Sequence, residues 1–418
     1  MNNTFRIIGK MVCAALIASL ASCTTDEGPS IDDYFLNYEI PVIRPTSDIP
    51  VGAFYYNVGG NGMQEERYNR LIGVRDMAAS PWPQLCPNVR PVLGRYKMDT
   101  GSKETADLFQ QHIDWANDAG INFFIMPNIA EDINQYDHLN SGGVNFVEFM
   151  AGRNPNSENK MKWGRLKYVL TVDMNNFTTG VSNSQMIEDT DVDAEGVSQR
   201  LERLYTYFRN LSRRFFVENR LYYEVDGKPM ILFYNAHKLY TKNSEALYKK
   251  MREVVYEASG KEMYIVARQE RWSPPARYHY FYLTGHADAI YMDNMYDQND
   301  MARSYMYPQY INENYKYNRT YDWANYQVDF IPAIAPSFNK WLGNDGTKEY
   351  QYPLVDKNEE LFRQMCNVAK MNLGQRPMVF IDSFNRWEYD MALEPTDPDY
   401  GNGYGMTFLN IVKEEFKR

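Results

Sequence analysis

Cysteine is scarce in this chain: 4 among 418 residues, at positions 13, 23, 86 and 366. So few thiols exclude a disulfide framework and any metal site built on several cysteines, although Cys86 and Cys366 leave room for one bridge in an exported protein. Histidine is nearly as rare, with 5, at 112, 138, 237, 279 and 286, and none has the His-Glu-x-x-His spacing of a zinc helix. The stretch Asp293–Asp300 carries three aspartates without the Asp-x-Asp-x-Asp-Gly order of a calcium loop. There is no Gly-x-Ser-x-Gly elbow and no glycine-rich phosphate loop. No metal and no cofactor is expected. Positive charge is in deficit too: the net charge is −10, and an acidic surface argues against nucleic acid as a partner.

Long apolar runs are also missing. The longest near the start, Met11–Ala21, falls far short of the roughly 20 residues a membrane helix needs, so it reads as the core of a signal peptide, with Arg6 and Lys10 ahead of it. Leu20-Ala21-Ser22-Cys23 is similar to a bacterial lipobox, which makes Cys23 the expected lipidated first residue of the mature protein. Asp26 and Glu27 resemble an export signal toward the outer cell surface. The expected organisation is a signal peptide over 1–22, a proline-spotted tether over 23–48 and one domain over 49–418. The location implied is the outer membrane, facing either the cell surface or the periplasm.

What the chain does have is alternation. Short β-branched and aromatic runs at Val51–Tyr56, Asn122–Met126, Lys167–Val172, Met230–Tyr234, Met263–Ala267, Ala289–Met292, Phe330–Ala335 and Met378–Ile381 are separated by longer stretches. Of these, Lys103–Asp118, Val197–Phe216, Ser244–Ser259 and Glu359–Leu373 have helical character. This spacing predicts an α/β fold, a single (β/α)8 TIM barrel with long βα loops.

The segment from Met378 reads MVFIDSFNRWEYDMALEP. It resembles the last strand and following loop of glycoside hydrolase family 99 and WbsX-like proteins, whose motif is Ser-Phe-Asn-Glu-Trp-x-Glu-Gly followed by Glu-Pro. Ser383, Phe384, Asn385, Trp387, Glu394 and Pro395 match in register, while Arg386 and Tyr389 stand where the motif has its two glutamates. Further likenesses are Val51–Tyr56 to the family's opening strand, Gly227–Tyr234 to its Gly-Lys-Pro strand, Asp288–Tyr291 to its Asp-Gly-Ile-Tyr strand, and Tyr404–Leu409 to its closing helix. The resemblance implies a barrel and a sugar ligand. It also implies, for the family, cleavage of an α-mannoside by the two motif glutamates with help from the sugar's 2-hydroxyl. That chemistry does not transfer, because arginine stays protonated and tyrosine titrates near 10.

Barrel enzymes carry their reacting groups just past the strands. The candidate catalytic carboxylates are therefore Glu388 and Asp390 in the motif loop, Asp173, and Asp293, since glycoside hydrolysis ordinarily uses two carboxyl groups. Candidate substrate-binding residues are Tyr55, Tyr56, Trp272, Tyr291, Asn385, Arg386 and Trp387, because rings cover the apolar faces of a pyranose while polar groups read its hydroxyls. Arg386 has two readings, a fork for an acidic sugar or sulfate and a structural partner for Asp382 or Glu388. Three functions fit: an endo-acting glycoside hydrolase on α-mannosides or acidic glycans, a non-catalytic glycan-binding relative, and a transferase in polysaccharide assembly. A signal peptide argues against the third, as sugar-nucleotide donors are cytoplasmic.

Overall fold

The computed structural model describes residues 37–57, 62–73, 85–99, 101–128, 142–152, 160–270, 281–293, 295–298, 304–344 and 353–418. Cys23 and Trp272 lie outside these residues. The chain divides into residues 1–39 and 40–418, and the fold described is that of the second unit. Ile43, placed above in the tether, donates its N–H to Asn367 Oδ1 at 2.7 Å, so this stretch is tied to a barrel helix.

Eight parallel strands form the barrel: β1 Val51–Phe54, β2 Phe123–Asn128, β3 Lys167–Asp173, β4 Lys228–Tyr234, β5 Tyr264–Arg268, β6 Ala289–Met292, β7 Asp329–Ile334 and β8 Val379–Ile381. Each pairs with the next, and β8 returns to β1 with Val51 opposite Val379 and Ala53 opposite Ile381, which closes the sheet. Helices follow the strands: α1 Lys103–Asp118, α2 Gly142–Met150, α3 Gln199–Phe215, α4 Ser244–Ser259, α5 Phe281–Thr284, α6 Tyr307–Tyr326, α7 Glu359–Met371 and α8 Thr407–Phe416. The segment entering β1 meets the end of α8, where Ile49 N–H donates to the Phe416 carbonyl at 2.9 Å.

Local sequence explains these helices. Helix α3 buries Leu204, Tyr207, Phe208, Leu211 and Phe215 on one face. Ser198 caps it by accepting from Leu201 N–H, and Arg213 and Arg214 complement the dipole of its last turn. Helix α4 starts at the Asn243 cap and stops at Gly260, which takes the left-handed conformation. Helix α6, the longest of the eight, is among those the periodicity did not announce. Its buried face carries Asn312, Asn314, Asn318 and Asp322 among the apolar residues, so no clean apolar stripe marks it.

Strand alternation divides the core in two. Side chains of one parity, among them Val51, Ala53, Phe124, Leu170, Ile231 and Ile265, pack outward against the helices. Those of the other parity, including Phe54, Phe123, Ile125, Val169, Leu232, Val266, Tyr291, Ala333 and Phe380, fill the barrel interior. Gly52 has the inward parity, and a Cβ there would come within 2.2 Å of the Phe123 ring, which occupies the missing side chain's place. Cys86 and Cys366 are both free, so the bridge allowed by their number is not formed.

Candidate active site

Because successive strand residues face opposite ways, only one of Tyr55 and Tyr56 can face the barrel axis. Tyr56 does. Tyr55 faces the helices, where it is 1% exposed and its hydroxyl bonds His112 Nδ1 at 2.7 Å. The expectation that Tyr55 meets ligand therefore gives way to a role in the outer core layer. The inward parity carried upward from the interior layers brings Tyr56, Asp173, Tyr234, Arg268, Asp293 and Asp382 to the carboxyl ends of their strands.

Two buried aspartates organise this end of the barrel. Asp293 is 4% exposed, takes an ion pair from Arg268 Nε at 2.6 Å, and accepts from the Tyr234 hydroxyl at 2.9 Å. The Arg268 guanidinium also lies 4.7 Å over the Tyr234 ring. Asp382 is 2% exposed and accepts from the Tyr56 hydroxyl at 3.2 Å. Burial, reinforced by the charge of Asp293, pushes its carboxyl up to about 6 against the opposing pull of Arg386, Tyr56 and Arg268. Tyr291 lies below them. Its ring is 5.7 Å from Phe54 and 5.4 Å from Phe380, and its buried hydroxyl has no hydrogen-bond partner among the described residues. Tyr291 is thus part of an aromatic floor under the aspartates rather than an exposed sugar platform.

Beside this cluster is a cavity of about 340 Å3 lined by Tyr56, Arg67, Tyr68, Arg386, Trp387 and Glu388, among others. Tyr56 joins the two places, since its hydroxyl meets Asp382 on one side and Arg386 Nη1, at 3.4 Å, on the other. The motif loop forms one wall, and most of its matching residues hold the loop itself. Asn385, 1% exposed, accepts from Tyr56 N–H at 2.7 Å and donates to the Tyr56 carbonyl at 2.9 Å, fastening the loop to the end of β1. Trp387, 3% exposed, donates its indole N–H to Glu394 at 2.8 Å. Glu394 is fully buried, accepts also from the Tyr96 hydroxyl at 2.7 Å, and has His112 Nε2 at 3.3 Å. Asn385 and Trp387 are therefore supports of the cavity wall in place of the ligand contacts expected of them. The Asp382–Ser383 peptide at the start of this loop is cis.

The four expected catalytic carboxylates do not converge. Glu388 stands on the cavity rim, 54% exposed, paired with Arg67 at 2.9 Å. Asp390 turns away: it is 7% exposed, lies 3.3 Å from Lys357 Nζ, and faces a separate cavity lined by Cys86, Asn339 and Tyr404. Burial raises the Asp390 carboxyl and lowers the Lys357 ammonium, each partly offset by the other. That pairing makes Asp390 a structural group of the loop, and removes it from the barrel mouth. Asp173 accepts from Asn175 N–H at 2.9 Å and Asn235 Nδ2 at 2.8 Å, as the cap of a short turn. Asp293 alone sits at the centre. Tyr234 was not singled out from sequence, and Arg268 and Asp382, though just past their strands and Asp382 a possible partner of Arg386, were not named as catalytic or binding groups; counting two residues at a time up each strand finds all three. Among the described residues no three His, Cys, Asp or Glu side chains gather as a metal would require.

Comparison with known proteins fits this architecture. A solved "Glycoside hydrolase-like protein" is 27% identical, covers 93% of this chain and 99% of its own, and has a TM-score of 0.68. The GH99 endo-alpha-mannosidase from Bacteroides thetaiotaomicron is 14% identical over 88% of this chain and 97% of its own, with a TM-score of 0.52, and shares the fold. A second structure of that enzyme, with BIS-TRIS-propane, is 16% identical with a TM-score of 0.51. No curated protein matches. The family model described as Glycosyltransferase WbsX matches residues 197–412, just over half of the chain, from the helix after β3 through the motif loop. With its closed parallel barrel and its motif loop at β8, the chain belongs to the WbsX glycosyltransferase family.

Proposed function

We propose that this protein is a glycoside hydrolase acting on an oligosaccharide or polysaccharide, with Asp382 and Asp293 as its working carboxyl groups. One observation carries the reading: two aspartates, each nine-tenths buried or more, sit at the carboxyl end of one barrel in opposite surroundings. Asp293 is matched by an arginine at 2.6 Å, while burial pushes Asp382 up to about 6. Splitting the environments of two carboxyls is how one site holds an acid and a carboxylate together. In this scheme Asp382, joined to the Tyr56 hydroxyl on the cavity wall, holds the proton that the glycosidic oxygen takes as its bond to the sugar carbon breaks. Asp293, as the carboxylate, supports the sugar cation or the incoming water. Glu388 remains the candidate for a rim contact.

The test is product analysis on mannans, host N-glycans and acidic or sulfated glycans, with Asp382→Asn, Asp293→Asn and Glu388→Gln beside the wild type. New reducing ends that vanish in the two aspartate variants support the scheme; turnover unchanged in both removes them from it. A non-catalytic glycan-binding protein is the second reading. It is favoured by the ion pairs that occupy Glu388, Asp390 and Asp293, and its signature is glycan affinity with no reducing ends released. Formation of a longer glycan from an activated donor would instead support the transferase activity in the family's description. We also propose export and anchoring to the outer membrane through lipid on Cys23, supported by Leu20-Ala21-Ser22-Cys23.

A further inference from the structure

We infer that the cavity beside β1 and β8 selects an anionic sugar substituent, a carboxylate or a sulfate ester, and that the guanidinium of Arg386 is its receptor. The inference rests on the glycan reading above and names the substrate class of the same site.

Arg386 is clamped. Its guanidinium lies 4.9 Å from the Tyr56 ring centre and 4.5 Å from that of Tyr389. Tyr389 in turn stacks on Phe338, with centroids 5.3 Å apart and planes 9° from parallel. Behind it Gly343 leaves the space the ring needs, since a Cβ there would meet Tyr389 at 2.0 Å. The loop fixes the backbone as well, with Arg386 N–H donating to Ser383 Oγ at 2.8 Å. An arginine held against two rings loses little further freedom on binding.

The donors of Arg386 are underused. The guanidinium has five N–H donors, and its side-chain hydrogen bond is the long one, 3.4 Å, to the Tyr56 hydroxyl. Among the described residues the neighbouring cations each have a carboxylate: Arg67 has Glu388, Arg268 has Asp293 and Lys357 has Asp390. Arg386 has none at ion-pair distance. Asp382 and Glu388 act on it only at longer range, as Asp382 is engaged by Tyr56 and Glu388 by Arg67. The contact ion pair with either acid, the alternative open from sequence, is thus not formed among the described residues. A partly buried charge with vacant donors facing a cavity gains most from an acceptor that is itself charged. Neutral hydroxyls fill hydrogen bonds but leave the charge unmatched.

The experiment measures binding by the full chain, without turnover. Titration calorimetry would compare oligogalacturonates, a sulfated oligosaccharide, the same oligosaccharide desulfated, and neutral manno-oligosaccharides, each against wild type, Arg386→Gln and Arg386→Lys. One anionic class is expected to bind at least tenfold more tightly than the neutral sugars, and which class does so distinguishes carboxylate from sulfate. Arg386→Gln is expected to lose about 10- to 100-fold for that class and little for neutral sugars, with Arg386→Lys in between because a point charge lacks the fork. Equal affinity for sulfated and desulfated sugars, with no preference for uronates, overturns the inference, as does an Arg386→Gln variant that keeps full anionic affinity. Should that variant fail to fold, the wild-type comparison decides alone. Anion-dependent binding without hydrolysis leaves this result standing while the catalytic scheme fails. Asp382-dependent cleavage of neutral glycans only would do the reverse.

Discussion

At the scale of single residues, Asp382 and Asp293 differ by what surrounds them rather than by chemical type. Asp382 must carry its proton to act as the acid, and its carboxyl is pushed up to about 6. Activity is therefore expected below that pH, with kcat/KM falling as pH rises through about 6. Asp382→Asn should cost about 10²–10⁴ in kcat, the usual contribution of general acid–base help, and should remove that limb of the pH profile. A profile unchanged in the variant would sink the assignment. The sequence pointed to the loop that lines the cavity and to Asp293, which is buried at the carboxyl end of its strand. It favoured Glu388 and Asp390 because they lie beside the motif's displaced glutamates, and their partners, Arg67 and Lys357, are hundreds and tens of residues away. Ion pairs across such separations leave no local mark. Strand parity, by contrast, was legible: position 382 follows 378 and 380 inward, just as Tyr56 follows Phe54.

Among elements, the motif loop and helix α6 show what pattern reading captures and what it loses. The matched motif residues Asn385, Trp387 and Glu394 turn out to bind one another and β1, so the recognisable part of the loop is its scaffold. Glu394→Ala would leave the Tyr96 hydroxyl and the Trp387 indole buried without their acceptor. A loss of about 3 kcal/mol in denaturant unfolding is expected, at 1.5–3 kcal/mol for a hydrogen bond to a charged group. A loss under half of that would mean the loop is held from elsewhere. Helices α1 and α4 were found in sequence at their observed bounds, because caps and apolar spacing agree. Helix α6 hides its core face behind asparagines and Asp322. Both Asp322 carboxyl oxygens are buried with no hydrogen-bond partner among the described residues, and burial raises this group from 3.8 to about 7. The native state then holds a proton that the unfolded chain releases between these values, so stability falls as pH rises from about 4 to about 7. Three pH units set a ceiling on the order of 4 kcal/mol for this effect. Asp322→Asn is expected to flatten the dependence and raise Tm at pH 8; an equally steep curve in the variant would place its origin elsewhere.

For the molecule as a whole, eight short apolar runs separated by longer stretches were enough to read a barrel, since each unit makes local sense before the ring closes. Its closure depends on segments far apart in sequence, with Ile49 bonded to Phe416 and β1 to β8, which no window of sequence displays. The acidic balance and the lipobox-like start belong to this scale too. If the leader works as proposed, Cys23→Ser should move the protein from the membrane fraction to the soluble one and abolish incorporation of labelled fatty acid. Retention of both in the variant would rule out that anchor.

The absent side chain at Gly343 reaches further than its position suggests. It sits in a different βα connection from Arg386, behind the ring that backs the guanidinium. Gly343→Ala would drive a methyl group into Tyr389, which Phe338 prevents from yielding. The expected result is an arginine tipped out of alignment: weaker discrimination between charged and neutral sugars, from a change that touches no ligand. On the proposed reading of Arg386, preference is set from outside the binding surface, by one carbon atom the backbone does not carry.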